Sequence, residues 1–386
     1  MSGAARWRIA FIARRFGARF GGAEAYAEHL LRQLSARHEV HVFCQEWDSP
    51  LPLQHTQLPR PRGWPRWLNL WYFSRRCARL TRDFDIVHSH ENAPAGDVHG
   101  VHVMPVRYSR RQRDRTLWQR LATRLSPRWQ AYLAMEAARY RPAPGKRLVA
   151  ASDLIDAQIG AVYAATAPRS VITPGVAVPA AIPERATARA RLGLPADAWL
   201  AVLVANDPWR KGYAAILQAM ALVSGWSLLV VGGEGDTVQR VRAAAHAAGL
   251  TDRVHAWGGQ ADVWPWYAAA DGCVFPTLGD AFGMVPLEAM ALGRPVVISA
   301  EPYCGLARHL RHEVNALVLE DPRDPEALAN AMRRLLHEDA LARRLGEGGA
   351  ALAATFGWDG IASAYEREYQ LALEARPGLA ARAASR

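Results

Sequence analysis

Two carboxylates flank a glycine and proline turn in the stretch GDAFGMVPLEAMALGRPVV, which runs from Gly279 to Val297. Asp280 and Glu288 stand eight positions apart, on either side of Gly283. An ionised carboxylate accepts two hydrogen bonds side by side, which matches the vicinal diol of a ribose. Glu288 would bind such a diol, and Asp280, before the turn, would hold a second polyol. In the plainer alternative, the Asp forms a turn and the Glu complements a helix dipole.

The same stretch predicts the open start of a helix. Pro286 suits the first helical turn, and Gly293 suits the left-handed position just past the helix end. The N–H groups of Gly283, Met284 and Val285 would then lack helical partners and lie at the positive end of the helix dipole. Such an end binds phosphate or sugar oxygens, and a glycine lets the ligand approach the backbone.

Two cations follow another predicted strand. The run AVLVAN leads into DPWRKG, so Arg210 and Lys211 stand where the next helix begins. Together they would neutralise a diphosphate and stabilise it as a leaving group. Lys211 is one of two lysines among 47 basic residues, which indicates a compact point charge where arginine is the usual cation. The alternative is a pair of solvated cations on a loop.

Two glycine turns supply weaker candidates. The run VVGGEGD resembles a dinucleotide fingerprint but lacks the full glycine spacing, so Gly232 could equally belong to a tight turn that opens a helix. Gly21 and Gly22, in FGGAE, follow the first predicted strand. Their N–H groups would face the sugar side of a diphosphate.

Histidines are concentrated in one segment, at His88, His90, His99 and His102. No cysteine or paired carboxylate completes a metal site with them, so we expect no metal. We predict that one of them, with His102 as the first candidate, contacts a bound sugar, and that the others are structural. Glu91 and Asp97 lie in the same segment and are predicted to face an acceptor hydroxyl.

Short apolar strands alternate with helices twice along the chain. The first series of predicted strands comprises WRIAFIA, EVHVFCQ, FDIVHSH, GVHVM and RLVAAS. After the proline-rich run VITPGVAVPAAIP, the second series comprises AWLAVLVAN, WSLLVVGG, RVHAWGG, GCVFPT and PVVISA. This alternation predicts an α/β fold of two Rossmann-like, doubly wound domains. Because ligands bind beyond the carboxyl ends of such strands, we expect the site in a cleft between the domains.

The length of 386 residues also favours two domains, since a single core rarely grows so large. We place an N-terminal domain at 1–172 and a C-terminal domain at 173–355. A helix at 356–375 and a disordered tail at 376–386 would follow.

Composition argues against several classes of protein. Half of the residues are hydrophobic, which is typical of a folded globular protein. The apolar run RIAFIA is too short for an export signal, and no run approaches the length of a membrane span. Four scattered cysteines indicate reduced thiols rather than a disulfide frame or a zinc site. We therefore expect a cytoplasmic location.

Positive charge is concentrated between Arg60 and Arg147. This segment holds 18 Arg and one Lys against six acids, a net charge of +13, whereas the whole chain carries +11. A localised cationic face suits nucleic acid, anionic lipid or a phosphorylated glycan. Tryptophans interleave with these arginines in GWPRWLNLWYFSRR, which favours a membrane surface or a lipid acceptor. The alternative is a solvated arginine-rich surface.

Together these motifs resemble the retaining GT-B glycosyltransferases of family 4, and the resemblance covers nearly the whole chain. Its most specific part is the opening stretch, which is similar to the family's E-x7-E signature followed by EAMA-G-PVV. The run RKG and the last helix, around GWDGIASAYEREY, add to it. The resemblance implies a GT-B fold in which the C-terminal helix crosses back onto the N-terminal domain.

The resemblance also implies roles for single residues. Glu288 would bind the nucleotide ribose, Asp280 a sugar hydroxyl of the donor, and the loop AWGGQ the nucleobase. The implied donor-binding residues are Gly21, Gly22, Arg210, Lys211, Gly232, Trp257, Asp280, Gly283, Met284, Val285 and Glu288, and the implied catalytic residues are His102, Asp280 and Lys211. The first signature acid is Asp rather than Glu here, and many relatives carry Gly-Arg where Ala205-Asn206 stands, so Arg210 must serve.

The implied reaction is metal-independent, retaining transfer of a hexose from a nucleotide-diphosphate sugar to a hydroxyl of a glycan or glycolipid. It needs no cofactor, and a UDP-sugar is the first candidate for the donor. The N-terminal pattern, with FCQEW and ENAPAGDVHGVH, looks most similar to enzymes of lipopolysaccharide core synthesis. We expect peripheral binding to the anionic inner membrane and no nucleic-acid partner. Alternatives are a sugar-nucleotide epimerase or phosphorylase of the same fold, or a nucleic-acid-binding protein that uses the arginine-rich segment.

Overall fold

The chain divides into two compact units. A computed structural model describes residues 6–111 and 116–376. Unit 1 comprises the chain up to Pro174 together with the segment from Trp358, and unit 2 comprises Gly175–Gly357. These boundaries lie two residues from those placed from the sequence, and the C-terminal helix belongs to the same unit as the N-terminal sheet.

Fifteen strands are assigned among the described residues, in chain order: β1 (Arg8–Ile12), β2 (Arg15–Phe16), β3 (Glu39–Cys44), β4 (Glu46–Trp47), β5 (Gln54–Gln57), β6 (Ile86–Ser89), β7 (Val98–Val101), β8 (Arg147–Ala150), β9 (Arg169–Val171), β10 (Trp199–Val204), β11 (Trp226–Val231), β12 (Val254–Trp257), β13 (Gly272–Phe275), β14 (Val296–Ser299) and β15 (Leu317–Leu319).

The helices over the same described residues are α1 (Gly22–Ser35), α2 (Arg66–Leu80), α3 (Val106–Arg111), α4 (Leu117–Leu125), α5 (Pro127–Tyr140), α6 (Asp153–Val162), α7 (Arg185–Leu192), α8 (Tyr213–Leu222), α9 (Gly235–Ala247), α10 (Trp264–Ala269), α11 (Met284–Ala291), α12 (Pro325–His337), α13 (Asp339–Ala353) and α14 (Asp359–Glu374). Short 3₁₀ turns lie at Ala18–Phe20, Thr251–Arg253 and Gly305–His309.

Unit 1 is built on a parallel sheet of seven strands, in the order β5-β3-β1-β6-β7-β8-β9. Its central strands are buried along nearly their whole length, as expected for parallel strands that are covered on both faces. The strand order reverses between β1 and β6. The loops that follow these two strands therefore border the crevice where open α/β sheets bind ligands.

Unit 2 repeats this plan with six parallel strands, in the order β12-β11-β10-β13-β14-β15. Here the reversal lies between β10 and β13. The loop 205–212, which follows β10, and the loop 276–283, which follows β13, thus meet at the carboxyl edge of the sheet. These are the two loops that carry the cations and the first carboxylate singled out from the sequence.

Helix α14 closes the hydrophobic core of unit 1 through two fully buried tyrosines. The Tyr26 hydroxyl lies 3.1 Å from that of Tyr365, and Nδ1 of His88 lies 2.7 Å from the Tyr369 hydroxyl. A buried tyrosine hydroxyl needs a hydrogen-bond partner. These two hydrogen bonds connect α14 to α1 and to strand β6 of the sheet. The aromatic pattern GWDGIASAYEREY therefore has a structural purpose in unit 1.

Several elements differ from the sequence-based expectation. Helices α2, α7 and α13 and strands β5 and β15 were not anticipated, and the strand expected at 100–104 spans Val98–Val101. The sequence between 112 and 140 predicts a helical region broken near Ser126-Pro127, and the structure has two helices that break at Ser126, with residues 112–115 outside the described part. Arg376, placed in the predicted tail, forms an ion pair with Asp97, and residues 377–386 are not described. No described helix combines the length and hydropathy needed to cross a bilayer.

Candidate functional site

The two loops at the reversal point of unit 2 are locked together by their backbones. The Leu278 N–H donates to the carbonyl of Arg210 at 3.0 Å. Gly212 adopts a φ of 87°, and a Cβ there would lie 2.1 Å from the Pro276 carbonyl oxygen. Only glycine permits this approach, which sets Lys211 against the loop that carries Asp280.

Lys211 and Asp280 form an ion pair between these loops, from Nζ to Oδ2. The side chains keep 19% and 20% of their surface exposed, so the pair is accessible from solvent. The other oxygen of Asp280 accepts the N–H of Phe282 at 3.1 Å. Asp280 thus forms the turn that was the plainer alternative for it. It also forms an ion pair with Lys211, which the sequence analysis did not predict. An ammonium has three donors, so Lys211 can bind an anion while it keeps Asp280.

Arg210 is exposed beside this pair. Its backbone N–H donates to the Asp207 side chain at 3.3 Å, while its guanidinium forms no ion pair with any residue in the described part of the chain. The backbone bond fixes the base of the side chain and leaves its charged end at the carboxyl edge of the sheet. An available planar cation next to an ammonium is suited to phosphate oxygens.

The start of α11 is open, as the sequence predicts. Gly283 precedes the helix with a φ of 111°, and a Cβ there would lie 2.7 Å from Sγ of Cys304. The first-turn N–H groups of Met284 and Val285 have no carbonyl one turn back within the helix, and Pro286 carries no N–H. The helix begins at Met284, because Gly283 makes the turn into it, and Pro286 lies in the first turn.

Glu288 lies in the second turn of α11 and is partly buried. Its Oε2 accepts the hydroxyl of Tyr267, in α10, at 2.6 Å. Burial raises the pKa of Glu288 to about 7, and the hydrogen bond from Tyr267 opposes that rise. The carboxylate is thus a partly exposed acceptor whose charge changes near neutral pH.

The turn after β11 uses its N–H groups internally. Gly232 donates to the Trp257 carbonyl at 3.1 Å and Gly233 to the Asn206 side chain at 3.3 Å. A Cβ on Gly232, whose φ is 124°, would lie 2.5 Å from the Ala205 carbonyl oxygen. Gly232 therefore brings the ends of β10 and β11 together. Its N–H is already bonded, so any role it has toward a ligand acts through loop shape.

Trp257 ends β12 and is partly buried, with its ring centroid 4.4 Å from that of Trp266. The glycines that follow it are tied to the turn after β11, because the Gly259 N–H donates to the Gly233 carbonyl at 2.9 Å. The loop predicted to meet a nucleobase is thus joined to the turn that borders the cation loop.

Unit 1 holds the other predicted residues. Gly21 precedes α1 with a φ of 147°, and a Cβ on Gly22 would meet no atom within 4 Å. The loop before them is fixed by buried Glu28, whose Oε2 accepts the Ala18 N–H at 2.9 Å. Glycine at 22 therefore leaves open space at the start of α1, which suits the approach of a ligand.

His102 belongs to a pair of neutral imidazoles. Its Nε2 lies 3.3 Å from Nε2 of His90, and the Tyr26 ring packs 4.8 Å away, centroid to centroid. Burial, and to a smaller extent the Arg139 charge, lower the pKa of His102 to about 3. A Cβ on Gly100 would lie 2.7 Å from His102, so this glycine makes room for the pair. His102 is available as a neutral hydrogen-bonding group and not as a cation at physiological pH.

The two acids predicted to face an acceptor are instead bound within unit 1. Glu91 accepts the backbone N–H and the Nε of Arg14, at 2.7 and 2.8 Å. Asp97 accepts the Val87 N–H at 2.9 Å and pairs with Arg376. Both carboxylates are thus structural, and the expectation for them was wrong. The arginines that bind them are distant in sequence, which hid the pairing.

No group of three His, Cys, Asp or Glu side chains within 6–111 and 116–376 is placed to hold a metal ion. The four cysteines are buried and free. Among residues close to the predicted site, Tyr267 and Cys304 were not anticipated. A buried tyrosine in the run WPWYAAAD is a common core residue, so only the fold reveals its partner.

Two family models match successive parts of the chain. The model described as Glycosyltransferase Family 4 matches residues 20–177, and that described as Glycosyl transferases group 1 matches residues 184–351. Their junction falls close to the boundary between the two units.

Curated relatives include a D-inositol 3-phosphate glycosyltransferase of Xylanimonas cellulosilytica, which is 36% identical over 54% of this chain and 52% of its own length. The lipopolysaccharide core biosynthesis glycosyltransferase LpsD of Rhizobium meliloti is 33% identical over 47% of this chain and 52% of its own length. The matched regions thus span about half the length of these relatives.

Solved structures share the fold over nearly the whole chain. WaaG, a glycosyltransferase involved in lipopolysaccharide biosynthesis, matches with a TM-score of 0.80 at 24% identity, over 92% of this chain and 98% of its own. Anabaena Alr3699/HepE in complex with UDP-glucose matches with a TM-score of 0.74 at 18% identity, over 95% and 100%. At these identities the similarity establishes the two Rossmann-like domains.

Proposed function

Since the chain belongs to the GT-B glycosyltransferases, with a family 4 region followed by a group 1 region, we propose that unit 2 binds a nucleotide-diphosphate sugar. The protein transfers the hexose to a hydroxyl of a glycan or glycolipid acceptor. The observation that carries this proposal is the arrangement at the reversal point of unit 2. There Lys211, exposed Arg210 and the open start of α11 lie on the adjoining loops and helix that follow β10 and β13.

The donor fits this arrangement group by group. A diphosphate carries two negative charges, which Lys211 and Arg210 neutralise, and the first-turn N–H groups of α11 provide further donors. Glu288 accepts the ribose diol through the oxygen that Tyr267 leaves free. Asp280, which already shares Lys211, accepts a hydroxyl of the transferred sugar.

These cations also account for the chemistry. As the sugar–phosphate bond lengthens, negative charge grows on the leaving diphosphate, and fixed positive groups stabilise it without reorganisation. The acceptor hydroxyl attacks from the same face and gives its proton to a leaving phosphate oxygen, so the configuration is retained. We propose that the protein's own cations carry out this charge neutralisation, which makes the transfer metal-independent. In unit 1, His102 is proposed to act toward a bound sugar as a neutral imidazole that donates or accepts one hydrogen bond.

A role in lipopolysaccharide core or other cell-surface polysaccharide synthesis is supported by two of the relatives. LpsD and WaaG carry that process in their descriptions. Other relatives are described as acting on D-inositol 3-phosphate, so the acceptor is proposed at the level of a glycan or glycolipid hydroxyl. UDP-glucose bound to HepE makes a UDP-sugar the first donor to test.

A panel of nucleotide sugars in a thermal-shift assay tests the donor proposal. We expect one nucleotide sugar, with UDP-sugars first, to raise the unfolding midpoint. Ligand at 100 times its Kd stabilises the folded state by about 2.7 kcal/mol. Free hexose and hexose 1-phosphate are the matched controls, because they lack the nucleoside that Glu288 is proposed to bind. If no nucleotide sugar shifts the midpoint at millimolar concentration, the proposal fails. Labelled donor incubated without acceptor then separates transfer from epimerisation.

Peripheral membrane binding is proposed for the arginine-rich part of unit 1. Helix α4 exposes Trp118 by 79% and Leu125 by 74%, with Leu121 also exposed between them. Positions three and four apart share a helix face, so these side chains form one apolar stripe, with Arg124 exposed beside it. An apolar stripe flanked by cations lies in the interface of an anionic bilayer. We propose the inner face of the cytoplasmic membrane.

Vesicle sedimentation tests this surface. The protein is expected to sediment with vesicles that contain anionic lipid at low salt and to be released at high salt, since exposed charges are screened. Replacing Trp118 and Leu125 with Ser should weaken binding to anionic vesicles at least fivefold. Turnover measured without membranes should stay unchanged. Failure to sediment with anionic vesicles at low salt would refute the proposal. Equal vesicle binding by the wild type and the double variant would show that α4 is not part of the membrane-binding surface.

A further inference from the structure

Glu288 is held by one buried side chain from a neighbouring helix. Tyr267 lies in α10 and has no exposed surface. Its hydroxyl donates to Oε2 of Glu288 at 2.6 Å. Helix α10 precedes strand β13 in the chain and helix α11 follows it. The Tyr267–Glu288 hydrogen bond therefore joins these two helices.

The tyrosine is itself fastened to the far end of α11. Arg294 follows that helix, just past Gly293, which has a φ of 66°. The Arg294 guanidinium donates to the Tyr267 carbonyl at 3.2 Å and to the Ala268 carbonyl at 2.8 Å. These two bonds satisfy carbonyls at the end of α10 and hold it against α11. The phenol of Tyr267 is therefore fixed relative to the helix that carries Glu288.

A glutamate side chain has three rotatable bonds and loses their freedom when it must meet a ligand in one orientation. The Tyr267 hydroxyl removes that freedom in advance by binding one carboxylate oxygen. The other oxygen accepts no hydrogen bond from the described residues, and the side chain remains partly exposed. One oxygen is thus an anchor and the other remains open to solvent.

The same bond acts on the charge of the carboxyl group. Burial raises the pKa of Glu288 to about 7, and the hydrogen bond from Tyr267 is the interaction that lowers it. The other titratable group that faces it is Cys273 of β13, whose own pKa is raised by burial and by Glu288. Burial also raises the pKa of Tyr267, so the phenol remains a donor over the working pH range.

Resting on the function proposed above, we propose that Tyr267 is the positioning residue of the donor site. Its hydroxyl fixes the Glu288 carboxylate in the orientation that receives the ribose diol. Tyr267 touches no substrate and acts only through Glu288. The preorganised carboxylate lowers the ordering cost of donor binding, so the effect of Tyr267 falls on donor affinity rather than on the bond that breaks.

Tyr267→Phe tests the positioning role, because it removes the hydroxyl and keeps the buried ring. At pH 7 the donor KM is expected to rise at least fivefold while kcat stays within twofold. The acid limb of the kcat/KM profile should move to higher pH, since Glu288 loses the bond that favours its charged form. The KM defect should therefore shrink at pH 9, where Glu288 is ionised in both proteins.

Tyr213→Phe is the matched control. Tyr213 is equally buried in unit 2, and its hydroxyl donates to the Val241 carbonyl at 2.9 Å. The Tyr213→Phe variant loses one buried hydrogen bond of the same kind. Its donor KM and the pH profile of its kcat/KM are nevertheless expected to match those of the wild type. If Tyr267→Phe behaves as this control does, the positioning role is refuted.

A second variant strengthens the bond instead of removing it. Incorporation of 3,5-difluorotyrosine at position 267 makes the phenol a better donor and is expected to move the acid limb to lower pH. It also carries the test if Tyr267→Phe does not fold. The carboxyl pKa of Glu288, measured by NMR with ¹³C-labelled glutamate in protein without ligand, separates the two hypotheses. A rise in Tyr267→Phe supports the positioning role even if no nucleotide sugar binds, and an unchanged value overturns it even if one does.

Discussion

Lys211→Ala is expected to lower turnover at least tenfold, which corresponds to about 1.4 kcal/mol of activation free energy. The ammonium lies at the reversal point of the unit 2 sheet, paired with Asp280 and open to an anion. Its removal takes away positive charge where negative charge develops on the leaving diphosphate, so the loss should fall on kcat. Glu288→Ala is expected to lower kcat/KM at least tenfold, chiefly through a higher donor KM. Steady-state kinetics with the donor found in the thermal-shift panel measures both.

The chain offers a matched control, because it has one other lysine. Lys146 lies in unit 1, where its ammonium donates to the Ala138 carbonyl at 3.0 Å. Lys146→Ala removes the same side chain and is expected to keep wild-type turnover. Each variant should retain a cooperative unfolding transition, which thermal unfolding of the purified protein checks. Wild-type rates in both site variants would refute the assignment of the site.

Much of the fold could be predicted because parallel strands are buried on both faces. Short apolar runs such as WLAVLV and WSLLVV favour strands of a covered sheet, and both are strands. The helix that carries Glu288 could be predicted in the same way from the glycine and proline around it. What these local patterns do not contain is strand order, which sets the neighbours of each loop.

The pairing of Lys211 with Asp280 shows this limit. The two residues are 69 positions apart, and they meet because β10 lies next to β13. Sequence analysis assigned both to carboxyl ends of strands and gave each a ligand of its own. It missed that the two side chains pair with one another. Glu91 and Asp97 failed for the same reason, because Arg14 and Arg376 reach them from distant parts of the chain.

Helices with mixed faces were the other source of error. Helix α2 is rich in arginine and tryptophan. From this composition the sequence analysis predicted a membrane surface in this segment but no helix. Leu70, Phe73 and Cys77 form its buried stripe, at helical spacing. The pattern was present but was obscured by charges on the remaining faces. Tyr267 was hidden differently, since a tyrosine that binds a carboxylate has the same local sequence as one that fills the core.

The histidines of unit 1 predict a marked loss of stability in mild acid. His88, His90, His99 and His102 all have a pKa lowered by burial, to about 3 for His102. In the unfolded chain they take up protons as the pH falls through about 6.5, whereas the folded protein does not. The unfolded state therefore binds more protons, and the free energy of unfolding is highest above pH 6.5 and falls below it. Between pH 6.5 and 5, each histidine contributes a loss of up to about 2 kcal/mol.

Urea unfolding of the full chain between pH 5 and 8, with hydrogen exchange to report on unit 1, measures this loss. His99→Leu is the informative variant, because His99 has no exposed surface and Leu fills a similar volume. It should reduce the slope of the unfolding free energy against pH by about one proton, or up to about 1.4 kcal/mol per pH unit. His337→Leu, at an exposed position in unit 2, is the control and should leave the hydrogen-exchange protection of unit 1 unchanged. A free energy of unfolding for unit 1 that stays constant from pH 6.5 to 5 would show that these imidazoles take up protons without unfolding. The neutral His90–His102 pair, and with it the neutral role proposed for His102, would then have to be abandoned.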